Sequence, residues 1–141
     1  MGNTRRYHSP RRAEQAAQTR RAVLAAARDL FVGNGYAATT VAEIAREARV
    51  AVDTVYTTVG RKPALLRAVL ESAISGADVA VPADERAYVA HVRAATSARD
   101  KITAYVTGLV EVQRRLAPVF LALRDAAGGT CYINPKSFVS I

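Results

Sequence analysis

The residues able to do covalent or metal chemistry are few and scattered. His8 and His91 lie far apart, and neither has a second ligand type at a spacing that would hold an ion. Cys131 is the lone cysteine, so an internal disulfide is excluded and a reducing compartment is expected. Asp84 and Glu85 are adjacent, but they read as the acidic start of a helix rather than an acid–base pair. No nucleophile elbow and no phosphate-cradling glycine loop occurs. The chain is therefore expected to be no enzyme and to carry neither metal nor cofactor. His91 reads as a surface or pocket-lining residue.

What remains is the chemistry of cations against a polyanion. The net charge of +8 is unevenly placed. Residues 1–21 hold six Arg against one Glu, which is +5. Residues 22–79 balance to zero with six of each sign, and residues 80–141 carry eight basic against five acidic, which is +3. A basic arm ahead of a compact domain is a common nucleic-acid-binding layout, and a plain solvated tail is the alternative. Within the arm, Arg5, Arg6, Arg11 and Arg12 are the candidates to follow a minor groove.

The elements that would position such chemistry centre on residues 40–59. Thr40 followed by Glu43 is a capping box, in which hydroxyl and carboxylate satisfy each other's backbone N–H. Val41, Ile44, Ala45 and Ala48 then share one helical face, and Val52, Val55, Tyr56 and Val59 repeat the spacing after a short turn. Two helices this short do not stand alone in water. They require a third helix to close a core and a partner for the second, and the usual partner is the major groove of duplex DNA.

Around this pair the pattern is helical. Residues 11–32 place Ala16, Val23, Ala27, Leu30 and Phe31 on one face, with Arg20, Arg21 and Arg28 outside it, and Gly33-Asn34-Gly35 ends the helix. Pro63 fits a first helical turn, so a fourth helix carries Leu66, Val69, Leu70 and Ala73 and fades by Gly76. Residues 77–84 read as a joint and 84–95 as a short helix. Ser97 and Asp100 resemble a capping pair ahead of a stripe of Ile102, Tyr105, Leu109, Val112 and Leu116 that demands a packing partner. Pro118 is expected to break or restart that helix, and residues 119–123, apolar all round, are expected to be buried. The helical period is lost after Gly128 and Gly129. No apolar run approaches the ~20 residues of a membrane span, and the polar N-terminus lacks a secretory apolar segment. A cytoplasmic protein of one domain, or one domain and part of another, is expected.

Phe31, Gly35-Tyr36, Thr39-Thr40-Val41, Glu43-Ile44-Ala45, Ala48, Val50, Thr54, Tyr56, Lys62 and Ala64-Leu65-Leu66 together resemble the TetR/AcrR-type transcriptional regulators, in register from about residue 18 to 76. The likeness weakens through residues 80–127. It implies an all-α fold, with a three-helix helix-turn-helix head joined by a fourth helix to a partial C-terminal helical bundle. The expected divisions are a disordered basic arm over 1–12, the DNA-binding head over 13–76, a partial ligand-binding and dimerisation region over 77–127, and a tail unlike the family over 128–141. The resemblance also implies a homodimer, double-stranded DNA as partner and a small-molecule effector. Thr40, Thr54, Tyr56 and Lys62 would contact or position phosphates. Val52, Asp53 and Thr57 would lie nearest the bases, with Arg46 reaching in from the preceding helix.

The sequence also departs from the family pattern. Arg49 stands where a turn glycine is usual, costing about 1–2 kcal/mol if the position is left-handed. Ala51 replaces the usual serine cap, a loss of about 1 kcal/mol, which Asp53 partly offsets through the helix dipole. Val59 replaces an aromatic and Pro63 an acid. The third helix holds no Arg, Lys, Asn or Gln, so methyl contacts to thymine from Val52 and Thr57 are expected. Asp53 would either accept from a cytosine amine or serve only the dipole. Arginine-based readout must then come from Arg46, Arg49 or the arm. Tyr88, Tyr105 and Phe120 are candidates to line a ligand cavity, with core packing as the alternative. The helices that dimerise in the family are expected to be missing, and the loss of pattern near Gly128 suggests a change of reading frame there. The leading expectation is a ligand-responsive repressor on a palindromic operator. The alternative is a truncated regulator that pairs with full-length relatives and does not hold DNA stably alone. A membrane-active basic helix fits poorly, because the basic residues precede the globular pattern instead of lining one face.

Overall fold

The computed structural model describes residues 10–77, 79 and 81–126, with side chains to Arg124. Arg5, Arg6, His8, Cys131 and the 128–141 tail lie outside the described residues. Among the described residues six α-helices follow in order: α1 (Pro10–Asn34), α2 (Val41–Glu47), α3 (Val52–Thr58), α4 (Lys62–Ser75), α5 (Ala87–Ala94) and α6 (Ala98–Ala126). A single 3-10 turn, Ala83–Glu85, precedes α5. The described residues contain no strand, as the all-helical reading expects.

The core of the head follows the expected periodicity in α1 and α2. In α4 it shifts to Leu65, which lies outside the expected stripe, while Leu66 and Leu70 are only half-buried. Val23, Ala27 and Phe31 of α1, Ile44 and Ala45 of α2, Val55 of α3, and Leu65 and Val69 of α4 are buried in one cluster. Completely burying side chains of this size contributes about 1.5–3 kcal/mol each, which carries helices too short to persist alone. Among the described residues Thr39 is the buried polar one. Its hydroxyl lies 3.1 Å from the Leu30 carbonyl and 2.9 Å from that of Gly35, so it ties the end of α1 to the approach to α2. Gly35, at φ +82°, turns the chain after α1.

Several expectations need correction. The helix α1 begins at Pro10, so Arg11 and Arg12 belong to its first turn and not to a disordered arm. Residues 10–18 are exposed throughout, Ala16 included, because α1 projects two turns beyond its packing partners. Arg20 is not on the outer face. It stands three and four residues before Val23 and Leu24, is half-buried, and donates to the Thr58 carbonyl at 3.2 Å. Pro118 does not end α6, which runs unbroken across it. An internal proline costs about 3 kcal/mol; the burial of Val119 and Ala122 just beyond it, on a helix that packs against α1 and α4, offsets this. The run 119–123 is not buried all round, since Phe120 and Leu121 face outward at about half exposure.

Candidate nucleic-acid interface

The turn between α2 and α3 is built from backbone rules. The Thr40 hydroxyl accepts from Glu43 N–H at 3.2 Å, and the Glu43 carboxylate accepts from Thr40 N–H at 2.7 Å and from the Thr40 hydroxyl at 2.8 Å. The backbone N–H of Thr40 and then its hydroxyl hold the Glu43 carboxyl below its ordinary range, and Arg46 and Lys62 add to this against a desolvation effect of opposite sign. At the other end of α2, Arg49 N–H donates to the Arg46 carbonyl at 3.1 Å and Val50 N–H to that of Ala45 at 2.9 Å. That pair of bonds is a Schellman motif with Arg49 at the left-handed position, φ +56°. The expectation of strain there is met: a non-glycine residue occupies a conformation that costs about 1–2 kcal/mol.

The second helix of the pair, α3, starts at Ala51 without a side-chain cap and carries Asp53 in its first turn. Its far end is held from outside, by the Arg20 guanidinium on the Thr58 carbonyl. A cation at a helix C-terminus is favoured by the dipole as well as by the bond. Arg20 was missed by sequence reasoning; its i, i+3, i+4 relation to Val23 and Leu24 was the available signal. Val55 points into the core, so the other side of α3 is presented outward. Val52 and Tyr56, read above as part of an apolar stripe, are 39% and 46% exposed. Asp53 and Thr57 are exposed beside them. The Thr57 hydroxyl donates back to its own helix, lying 2.9 Å from Asp53 O and 3.2 Å from Thr54 O. Its methyl is then the group left for an outside contact. Thr54 is half-buried, and Arg46 and Arg49 are exposed.

A second group gathers where α2, α3 and α4 meet. An open groove of about 670 Å³ is lined by Val41, Tyr56, Gly60, Arg61, Lys62 and Pro63. Tyr56 and Lys62 both border it. The Lys62 ammonium donates to the Ala37 carbonyl at 3.2 Å and lies 4.5 Å above the Tyr36 ring, which itself packs on Phe31. These contacts fix the stem of Lys62 while its remaining donors stay at the groove. Arg61 is an addition. It is the exposed N-cap of α4, a helix with no acid in its first turn and Pro63 in that turn, so the positive dipole end stays uncompensated.

The ligand-cavity candidates divide. A cleft of about 550 Å³ between the end of α4, the start of α5 and the middle of α6 is lined by residues including Tyr88 and His91. The Tyr105 ring stands edge-on to Tyr88, at 6.2 Å between centroids, but is outside the lining. Phe120 does not border the cleft. At Gly108 α5 lies tight against α6: a Cβ there would sit 2.6 Å from Tyr88 Cγ.

Compared with known proteins, residues 23–69 match the family described as bacterial regulatory proteins, tetR family. That span runs from the middle of α1 to the middle of α4 and encloses the whole α2–turn–α3 unit. No curated protein and no solved structure matches the chain. No helix among the described residues is long and apolar enough to cross a membrane.

Proposed function

Taking as premise that residues 23–69 are the N-terminal helix-turn-helix domain of the tetR family, a family of DNA-binding transcription regulators, we propose that this protein is a ligand-responsive repressor. It lays α3 in the major groove of a palindromic operator, two copies acting together. The observation that carries this reading is the division of α3. Val55 is sealed in the core while Val52, Asp53, Tyr56 and Thr57 remain outside. Tyr56, Arg61 and Lys62 line the adjoining groove at the free start of α4, an arrangement that suits phosphates. Thr40 at the start of α2 and the half-buried Thr54 support the same backbone track. Arg46 and Arg49 flank the turn and supply the guanidinium groups that α3 lacks. Arg11 and Arg12, in the projecting turns of α1, extend the basic surface, and Arg5 and Arg6 precede them in sequence.

The test is selection of bound duplexes from a random pool, followed by variants on the selected site. Arg46→Ala is expected to relax base preference at one position, a loss of about 1–3 kcal/mol. Lys62→Ala is expected to weaken all sequences alike and reduce the salt slope by about one. Failure of the chain to enrich any duplex would sink the proposal.

A second reading has its own support. On α6, Ile102, Tyr105, Val106, Leu109 and Val110 are 39–64% exposed on a helix whose stripe asks for a partner. In that reading the protein is an interaction module that pairs with relatives through α6 and does not hold DNA stably alone. Molecular size measured with and without duplex, at low and high salt, separates the two readings.

A further inference from the structure

We infer that two copies of this chain pair antiparallel along α6, with the two-fold axis at Gln113. This rests on the two-copy reading above and names the surface that joins the copies.

The first observation is that α6 is packed on one side and patterned on both. On the packed side Gly108 meets Tyr88 of α5, Arg115 donates to the Ala73 carbonyl of α4, and Val119 enters the core of the head. On the opposite side Ile102, Val106, Leu109, Gln113, Ala117 and Phe120 recur at steps of three and four residues. At 3.6 residues per turn they stay within about 40° of one line, over about 27 Å of helix. All six are exposed, Ile102 at 64% and Phe120 at 47%, and none is charged.

The second observation is that this line fits its own copy. Turned end for end about Gln113, Leu109 meets the partner's Ala117, and Val106 meets the partner's Phe120. In each layer the larger side chain faces the smaller, which is how facing helices interdigitate. A surface hollow of about 480 Å³ lies on the stripe, bordered by residues that include Val106, Leu109, Gln113 and Ala117. It is where the partner's Leu109 and the partner's Phe120 would seat.

The third observation selects the occupant. Gln113 stands at the middle of the stripe, and its amide both donates and accepts. A lipid surface or an apolar peptide would cover that amide without pairing it, which costs free energy. A second copy brings an identical amide to the same point, donor to acceptor. A polar residue in a helical seam also fixes the register. Covering the stripe with its flanks Val110 and Leu121 removes roughly 600 Å² per copy, about 1,200 Å² in all, where specific interfaces begin. Pairing in the micromolar range follows, so in dilute solution the stripe is bare and truncations along it cost little. The contact is isologous, and assembly stops at two copies.

The full chain is sedimented from micromolar to millimolar concentration, where its mass should rise from one chain to two and no further. Gln113→Glu and Gln113→Lys each set like charges on the axis and should weaken pairing about tenfold or more, and their equimolar mixture should pair again. Leu109→Glu should pair with Ala117→Lys and not with Leu109→Lys, which fixes the antiparallel sense. All these positions are exposed, and helicity equal to wild type in the monomer qualifies each variant. A monomer at every concentration, a dimer that Gln113→Glu and Leu109→Glu both leave intact, or recovery with Leu109→Lys instead of Ala117→Lys would overturn the inference. A pair with the expected charge pattern that binds no duplex supports the α6 contact and removes the repressor reading. Two copies of Gln113→Glu held on one duplex as tightly as wild type keep that reading and overturn the contact.

Discussion

The head and the C-terminal helices are patterned alike but finished differently. In the head all four helices meet in one core: Phe31, Ile44, Val55 and Leu65, one from each, are all completely buried. In the C-terminal region α5 buries no residue, and α6 buries Val119 and Ala122 only where it lies on the head. Its earlier turns leave Ile102 and Val106 more than half exposed. A period of 3.6 residues locates the face that must pack, and it is silent on whether the partner is present.

The contrast is sharpest in paired truncations. Phe31→Ala should destabilise the chain by about 3–5 kcal/mol, whereas Leu109→Ala, at 39% exposure, should fall within about 0.5 kcal/mol in chemical denaturation. A large cost at Leu109 in a concentration-dependent transition would mean that α6 is covered in solution. Gly108→Ala probes the tight crossing in the otherwise open region. Its new methyl meets Tyr88, and overpacking of about 1–3 kcal/mol should loosen α5 while leaving duplex binding by the head in place.

Much of the head was legible because its determinants are local. The Thr40–Glu43 box, the uncapped Ala51 and the left-handed Arg49 each concern neighbours within four residues. Arg20 and Pro118 were misread because a distant element decides them. One is drawn in by the Thr58 carbonyl, the other lies in a helix whose next residue, Val119, is buried in the core of the head. Tyr56 and Lys62 entered the reading through the family resemblance, and both line one groove. Arg61 did not, since its value comes from the free end of the helix it precedes.

Two smaller effects sharpen the same contrast between local and long-range control. Arg49→Gly should stabilise the head by about 1 kcal/mol by releasing the left-handed strain. Thermal midpoints measure this, and a concurrent loss of duplex affinity would mark Arg49 as a contact. Glu43→Gln should lower stability at neutral pH. Because the folded carboxyl titrates below its ordinary value, the wild-type advantage is complete above that value and disappears as pH falls through the lowered one. Parallel denaturation profiles of the two proteins from neutral to acid pH should therefore converge.

Val119 belongs to the last helix, yet it is fully enclosed by the cluster that organises the first four. The four-helix head is thus not a cassette. Anyone cutting after Gly76 to graft it elsewhere would leave a notch the width of an isopropyl group, and the new neighbour would have to bring a side chain that fits it.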